Sequence, residues 1–256
     1  MIQTIMEKLP STIHESWHPF LQPVFDQDNQ LRILRDQILP NCTYFPEMQN
    51  IFRVFSMPMQ NIKVVLLGQD PYPTKGHAIG YSFAIDSNKF PASLRIIQNE
   101  VFMEIEKGLS VDESLYCHDP RPDETHFAPE WRSLEHWTHQ GVFLLNTALT
   151  VEQGKAGSHM KYWQMFVWKV VRIIAEQVAP IWMLWGKKAQ EVCTLIETEQ
   201  YKHTDEYGQA YKNVMLLAPH PAAEVYSGGH AGFYGCNHFE IVNQILTKRK
   251  KQIINW

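Results

Sequence analysis

Cysteine is scarce in this chain. Its 256 residues hold four, Cys42, Cys117, Cys193 and Cys236, widely spaced and with no CxxC pair. That excludes the disulfide framework of small secreted domains and the close pairs of most iron–sulfur sites, and the thiols read as reduced. Neither sign of charge dominates: 23 Lys and Arg against 27 Asp and Glu leave −4. A coat of basic residues is thereby excluded, while a local basic patch suited to phosphate is not. No apolar run reaches the length of a membrane span, so no membrane partner is expected. No linker, internal repeat or low-complexity tract divides the chain, and a single globular domain over 1–256 is expected. The N-terminus lacks the basic start and apolar middle of a secretory leader. The expectation is a protein that is not secreted, cytoplasmic in a bacterium, or nuclear or in a host-cell compartment for a eukaryotic or viral source. A GxSxG nucleophile elbow is missing too. The twelve histidines read as surface and packing residues, and no metal site is expected.

What is present is a set of short apolar runs: Ile62–Leu67 (IKVVLL), Val142–Leu145 (VFLL), Ile181–Trp185 (IWMLW) and Val214–Ala218 (VMLLA). Each is non-alternating and rich in branched or aromatic residues, which predicts strands buried on both faces of a parallel sheet. Between them Tyr162–Val178 repeats its apolar positions at three- and four-residue steps, as an amphipathic helix does. The stretch up to Asn61 reads as mainly helical, interrupted by Pro40 and Pro46. The tract Lys107–Pro129 reads as a polar surface excursion, and the tail Lys248-Arg249-Lys250-Lys251 as a solvated helix end. Strands alternating with helices predict an α/β domain of three layers.

Open parallel sheets bind ligands outside the carboxyl ends of their strands. After the four runs come, in turn, Gln69-Asp70-Pro71-Tyr72, then Asn146-Thr147, then Gly186-Lys187-Lys188, then Pro219-His220-Pro221. Each residue also has a bland reading. Asp70 could open a turn before Pro71, Asn146 could cap a helix, His220 could be a loop histidine, and Phe83 could be core. A carboxylate, an amide, lysines and an imidazole at four successive strand ends favour an enzyme.

The strings are also recognisable. GQDPYP at 68–73 with GYSF at 80–83, LLNTALTV at 144–151 with Ser158-His159, LWGKKAQ at 184–190 and HPAAEVYSGGHAGFYGCNHF at 220–239 occur in this order. Together they resemble the motifs of family 1 uracil-DNA glycosylases over most of the chain. The resemblance implies one α/β/α domain with a central four-stranded parallel sheet, no cofactor, and hydrolysis of the uracil–deoxyribose bond in DNA. It implies Asp70 and His220 as catalytic residues, with Gln69, Tyr72, Phe83 and Asn146 around the uracil. DNA contacts are implied at Pro91, Ser93, Gly186, Lys187, Ala222, Val225 and Tyr226, with His77 and Ser158 as lesser candidates. Partners implied are uracil-containing DNA and uracil-mimicking protein inhibitors, with the protein a monomer.

Several residues depart from the family pattern. Ala222 replaces a serine, Glu224 stands where the DNA-wedging leucine is usual, and the segment from His220 to Gly232 is longer. Two readings of this loop stand side by side. In one, Tyr226 or Val225 enters the duplex where the base has left. In the other, Ser227-Gly228-Gly229 marks an exposed loop with no such role. The residues oppose two other functions. A catalytically silent DNA-binding or replication accessory protein of the same fold is opposed by the intact Asp70, Asn146 and His220. A glycosylase of other specificity is opposed by the bulk of Tyr72.

Overall fold

The computed structural model describes residues 9–87, 89–106, 129–197, 203–204 and 210–256. Most of the Lys107–Pro129 excursion, with Cys117, therefore lies outside the described residues. All four apolar runs form strands: β1 (Val64–Gly68), β2 (Val142–Asn146), β3 (Ile181–Trp185) and β4 (Val214–Ala218). They pair in parallel in the order β2-β1-β3-β4, with Gly68 opposite Asn146, Leu67 opposite Leu184 and Trp185 opposite Ala218.

Side chains alternate across a strand, so each run feeds two cores. Val65, Leu67, Phe143, Leu145, Trp182 and Leu184 face one apolar cluster. Val64, Leu66, Val142, Leu144, Ile181 and Met183 face the other. The labelled helices are α1 (His18–Gln27), α2 (Ala92–Glu106), α3 (Met160–Gln177), α4 (Lys187–Gln190), α5 (Ala223–Ser227) and α6 (His238–Lys248). Leu21 and Val24 of α1 join the first cluster, with Trp163, Phe166, Val167, Val170, Val171 and Ile174 of α3. The α3 residues recur at three- and four-residue steps on one stripe, and burying each contributes about 1.5–3 kcal/mol. Leu94, Ile97 and Val101 of α2 and Phe239, Val242 and Leu246 of α6 build the second cluster, together with Trp137 and Trp256. This is the three-layer α/β/α arrangement. Among the described residues no helix is long and apolar enough to cross a membrane.

The structure corrects the reading of the fourth run. β4 is an edge strand, paired only with β3 among the described strands, and Leu217 is 53% exposed. Among the described residues it is less covered than the inner strands. The stretch before β1 is mainly helical turns, but Tyr44–Phe45 pairs antiparallel with Val151–Glu152. Pro40 sits inside the 3-10 turn Leu39–Asn41 and does not interrupt it, since an early helical position needs no proline N–H.

Candidate active site

Above the carboxyl ends of β1 and β2, the chain is fastened by its own backbone. Thr147 N–H donates to the Gly68 carbonyl (2.9 Å) and Ala148 N–H to that of Gln69 (3.0 Å). The Thr147 hydroxyl also donates to the Gln69 carbonyl at 2.5 Å. Asp70 follows directly. Its Oδ2 accepts from Gly157 N–H at 2.5 Å and its Oδ1 from the Gln69 amide at 3.2 Å. Burial raises the Asp70 carboxyl above its ordinary value of 3.8, and these two donors pull the other way.

Asn146 ends β2 and is buried, and among the described residues its amide takes no side-chain hydrogen bond. Both its donor and its acceptor remain for a ligand. The register puts it beside Gly68, where any Cβ would collide with Asn146 Oδ1 and with Ser82 Cβ. Glycine at 68 is thus the condition for Asn146 to sit where it does. Ser82 ties the GYSF segment over the same strands, donating its N–H to the Leu144 carbonyl and its hydroxyl to that of Leu66. Phe83 then adopts φ 62°, a left-handed backbone that costs energy for a bulky residue. This conformation sets its ring 5.7 Å from that of Trp185 and 6.0 Å from that of His220.

Tyr72 is locked rather than loose. Its hydroxyl lies 3.0 Å from Ser93 Oγ and donates to the Phe83 carbonyl at 3.3 Å. Burial pushes it up to about 12, with the Ser93 bond opposing. The structure therefore alters the reading of Ser93. Its hydroxyl, expected on a DNA phosphate, is turned inward to Tyr72 and buried at the start of α2, with Pro91 half-buried just before it. Ser158, the lesser candidate, is likewise engaged, accepting from Glu152 N–H at 2.8 Å.

His220 follows β4. Its Nδ1 accepts from Ala222 N–H at 3.1 Å, so the neutral ring must carry its proton on Nε2. Burial lowers its pKa below the usual 6.5 and favours that neutral form. Gly186, with φ 85°, lies against it: a Cβ there would stand 2.8 Å from His220 Cβ. Lys187 opens α4 fully in solvent, while Lys188 pairs with Glu191 at 2.8 Å.

The loop after His220 is built, not slack. α5 ends on Gly228 in the left-handed conformation. Tyr226 is 90% and Val225 52% exposed, whereas Glu224 is turned inward. Glu224 is a residue that sequence reasoning passes over except as an unsuitable wedge. Gly157, reaching Asp70 through its backbone, carries no sequence signal at all.

The chain also contains an HExxH string not singled out from the sequence, His14-Glu15-Ser16-Trp17-His18. A metal pair of that spelling needs both histidines on one helix face. Here α1 begins only at His18, His14 Nδ1 bonds Ser16, and His18 Nε2 lies 3.0 Å from the Ile13 carbonyl. Among the described residues no three potential ligands converge. A groove of about 620 Å³ opens at the opposite edge of the sheet, beside Lys63, Gly141 and Lys251, and includes none of the site residues.

A carboxylate, an unpaired amide and a neutral imidazole at the carboxyl edge of a parallel sheet define an enzyme of the α/β class that works by electrostatics and hydrogen bonding. Its family follows from comparison with known proteins. Residues 56–247 match the model of the Uracil DNA glycosylase superfamily, and the chain belongs to that family. It is 33% identical to the uracil-DNA glycosylase of Chlamydia pneumoniae, over 94% of this chain and 88% of that one. To the uracil-DNA glycosylase of Aliivibrio fischeri it is 36% identical, over 83% and 82%. The fold matches the crystal structure of mimivirus uracil-DNA glycosylase with a TM-score of 0.76 at 23% identity, covering all of this chain and 92% of the other. A single-residue variant of the mimivirus protein has been crystallised in complex with UGI.

Proposed function

We propose that this protein hydrolyses the N-glycosidic bond of deoxyuridine in DNA, releasing uracil and leaving an abasic site, with the following division of labour. The target atom is shielded in a stacked duplex, so the nucleotide is flipped into the site. As the bond breaks, positive charge grows on the sugar and negative charge on the leaving uracil. Asp70 serves the first pole, stabilising the cationic sugar and orienting the attacking water. His220, neutral with its proton on Nε2, donates to uracil O2 and serves the second. The observation that carries this reading is that tautomer, set by the Ala222 N–H on Nδ1 at 3.1 Å.

Selection rests on other groups. The Asn146 amide donates to uracil O4 and accepts from N3–H, a pattern that cytosine reverses. A site built on such bonds rejects the wrong edge by roughly 10⁴-fold. Thymine differs by a methyl at C5, and Tyr72, held by Ser93 and the Phe83 carbonyl, is too rigid to yield to it. Phe83 stacks on the ring, with Gln69 beside Asp70. Gly186 and Lys187 follow the phosphates, while Ala222, with no side-chain donor and its N–H on His220 Nδ1, adds no contact; Val225 and Tyr226 fill the gap in the stack. A uracil-mimicking protein inhibitor would engage the same face of this protein; a mimivirus relative has been crystallised in complex with UGI.

The test is uracil release from a synthetic oligonucleotide in EDTA, with wild type, Asp70→Asn and His220→Leu. Wild type should turn over without added metal, and each variant should lose roughly 10²–10³-fold in kcat while still binding DNA. Near-normal turnover in either purified variant would refute the assignment.

A further inference from the structure

Glu224 is 3% exposed, although its neighbours Val225 and Tyr226 stand in solvent. Its carboxylate gathers backbone from across the loop. Oε1 accepts from Phe233 N–H at 2.5 Å and Tyr234 N–H at 3.1 Å. Oε2 accepts from Ala231 N–H at 2.9 Å and from the Ser227 hydroxyl at 3.4 Å. Its carbonyl receives Gly229 N–H at 2.9 Å, closing the turn from the other side. One side chain thereby joins both arms of the 224–234 segment.

We propose that Glu224 is a positioning residue for duplex DNA: its carboxylate closes the loop and thereby holds Val225 and Tyr226 outward. This rests on the reading of that pair as the group that fills the stack. The physical argument is preorganisation. A loop of this length, rich in Ser and Gly, would otherwise lose conformational entropy each time it ordered on DNA. Three main-chain donors tied to one carboxylate remove that loss before binding. Burial alone would raise the Glu224 carboxyl, but the N–H donors from Ala231, Tyr234 and Phe233 and the Ser227 hydroxyl hold it below its ordinary value of 4.5. It is ionised at neutral pH and accepts at every lone-pair site it uses. An amide in its place would turn an NH₂ donor against backbone donors, leaving at least one N–H unmatched.

The experiment compares wild type, Glu224→Gln, Glu224→Asp, Val225→Ala/Tyr226→Ala and the triple variant Glu224→Gln/Val225→Ala/Tyr226→Ala. Each is assayed for uracil release from the same sequence as duplex and as single strand, with thermal melting as a control for folding. Glu224→Gln should lower duplex kcat/KM by about tenfold or more and leave single-strand kcat/KM within about twofold. Glu224→Asp, which keeps a carboxylate, should recover part of the loss. The triple variant should be no worse on duplex than Val225→Ala/Tyr226→Ala, because Glu224 acts through that pair. Equal losses on both substrates, no loss on either, or losses that multiply in the triple variant would overturn the proposal. If Glu224→Gln is normal while Val225→Ala/Tyr226→Ala fails on duplex, the proposal falls and the stack-filling reading stands. If Val225→Ala/Tyr226→Ala has no duplex-selective defect, it is the stack-filling reading that falls, and with it the route assigned to Glu224.

Discussion

At the scale of single residues, two glycines carry as much of the site as the groups that do chemistry. Gly186 has φ 85° and leaves His220 Cβ no room for a neighbouring methyl. Gly186→Ala should displace the imidazole and strain the backbone together, lowering kcat by roughly 10²-fold with a smaller change in KM. Steady-state kinetics on single-stranded substrate checks this, free of loop effects. A change confined to KM would mean that Gly186 matters for phosphate contact and not for His220. The chemistry-bearing side chains were legible because each follows an apolar run within a few residues and sits in a distinctive string. The groups that hold them were not. Gly157 reaches Asp70, and Ala222 reaches His220, through backbone N–H groups that any residue but proline supplies. Ser93 was legible as a polar residue near the site, but its direction was not. Only the fold shows its hydroxyl bonded to Tyr72.

Among elements, the packing of α2 against the start of α6 is the least ordinary. Glu100 is fully buried and accepts from Gly235 N–H at 2.8 Å and Asn237 N–H at 3.1 Å. One turn on, Glu104 accepts from Glu240 N–H at 2.7 Å. Burial, with Glu100 and Glu240 adding to it, pushes Glu104 up to about 7. A carboxyl raised in the folded state favours folding while protonated in it, and that contribution fades as pH rises through the folded value. Stability should therefore fall between about pH 4.5 and 7 on account of Glu104. Glu104→Gln keeps an acceptor for Glu240 N–H and carries no charge. It should raise the melting temperature at pH 8 by several degrees and have little effect at pH 5. Equal shifts at both pH values would mean that Glu104 titrates alike in the folded and unfolded chain. None of this pairing is visible in the sequence, where Glu100 and Glu104 look like the exposed face of a helix. The strands were legible in kind, because non-alternating branched runs have few other uses. Burial of β4 was misjudged, since composition does not say which strand lies at an edge.

For the whole molecule, the opposed shifts of two groups fix how activity follows pH. Asp70 must be ionised and lies above 3.8, while His220 must be neutral and lies below 6.5. Both conditions are met together above the higher of the two values. The single-turnover rate should be level there and keep its plateau below pH 6.5, falling only on further acidification. In Asp70→Asn the residual rate should keep only the limb that belongs to His220. A rate that halves near pH 6.5 in both wild type and Asp70→Asn would place His220 at its ordinary value and contradict the burial argument.

The three inward glutamates have a further consequence, for the electrical character of the surface. By composition the chain is an unpromising partner for a polyanion, at −4. Yet Glu224 and Glu100 are each met by inward-pointing N–H dipoles, and Glu104 is partly protonated near neutrality. Their fields toward a passing phosphate are thus opposed or weakened, while Lys187 projects from α4 into solvent. Formal charge counts every acid alike. A phosphate approaching the surface meets Lys187 outside and acids whose influence is directed into the protein.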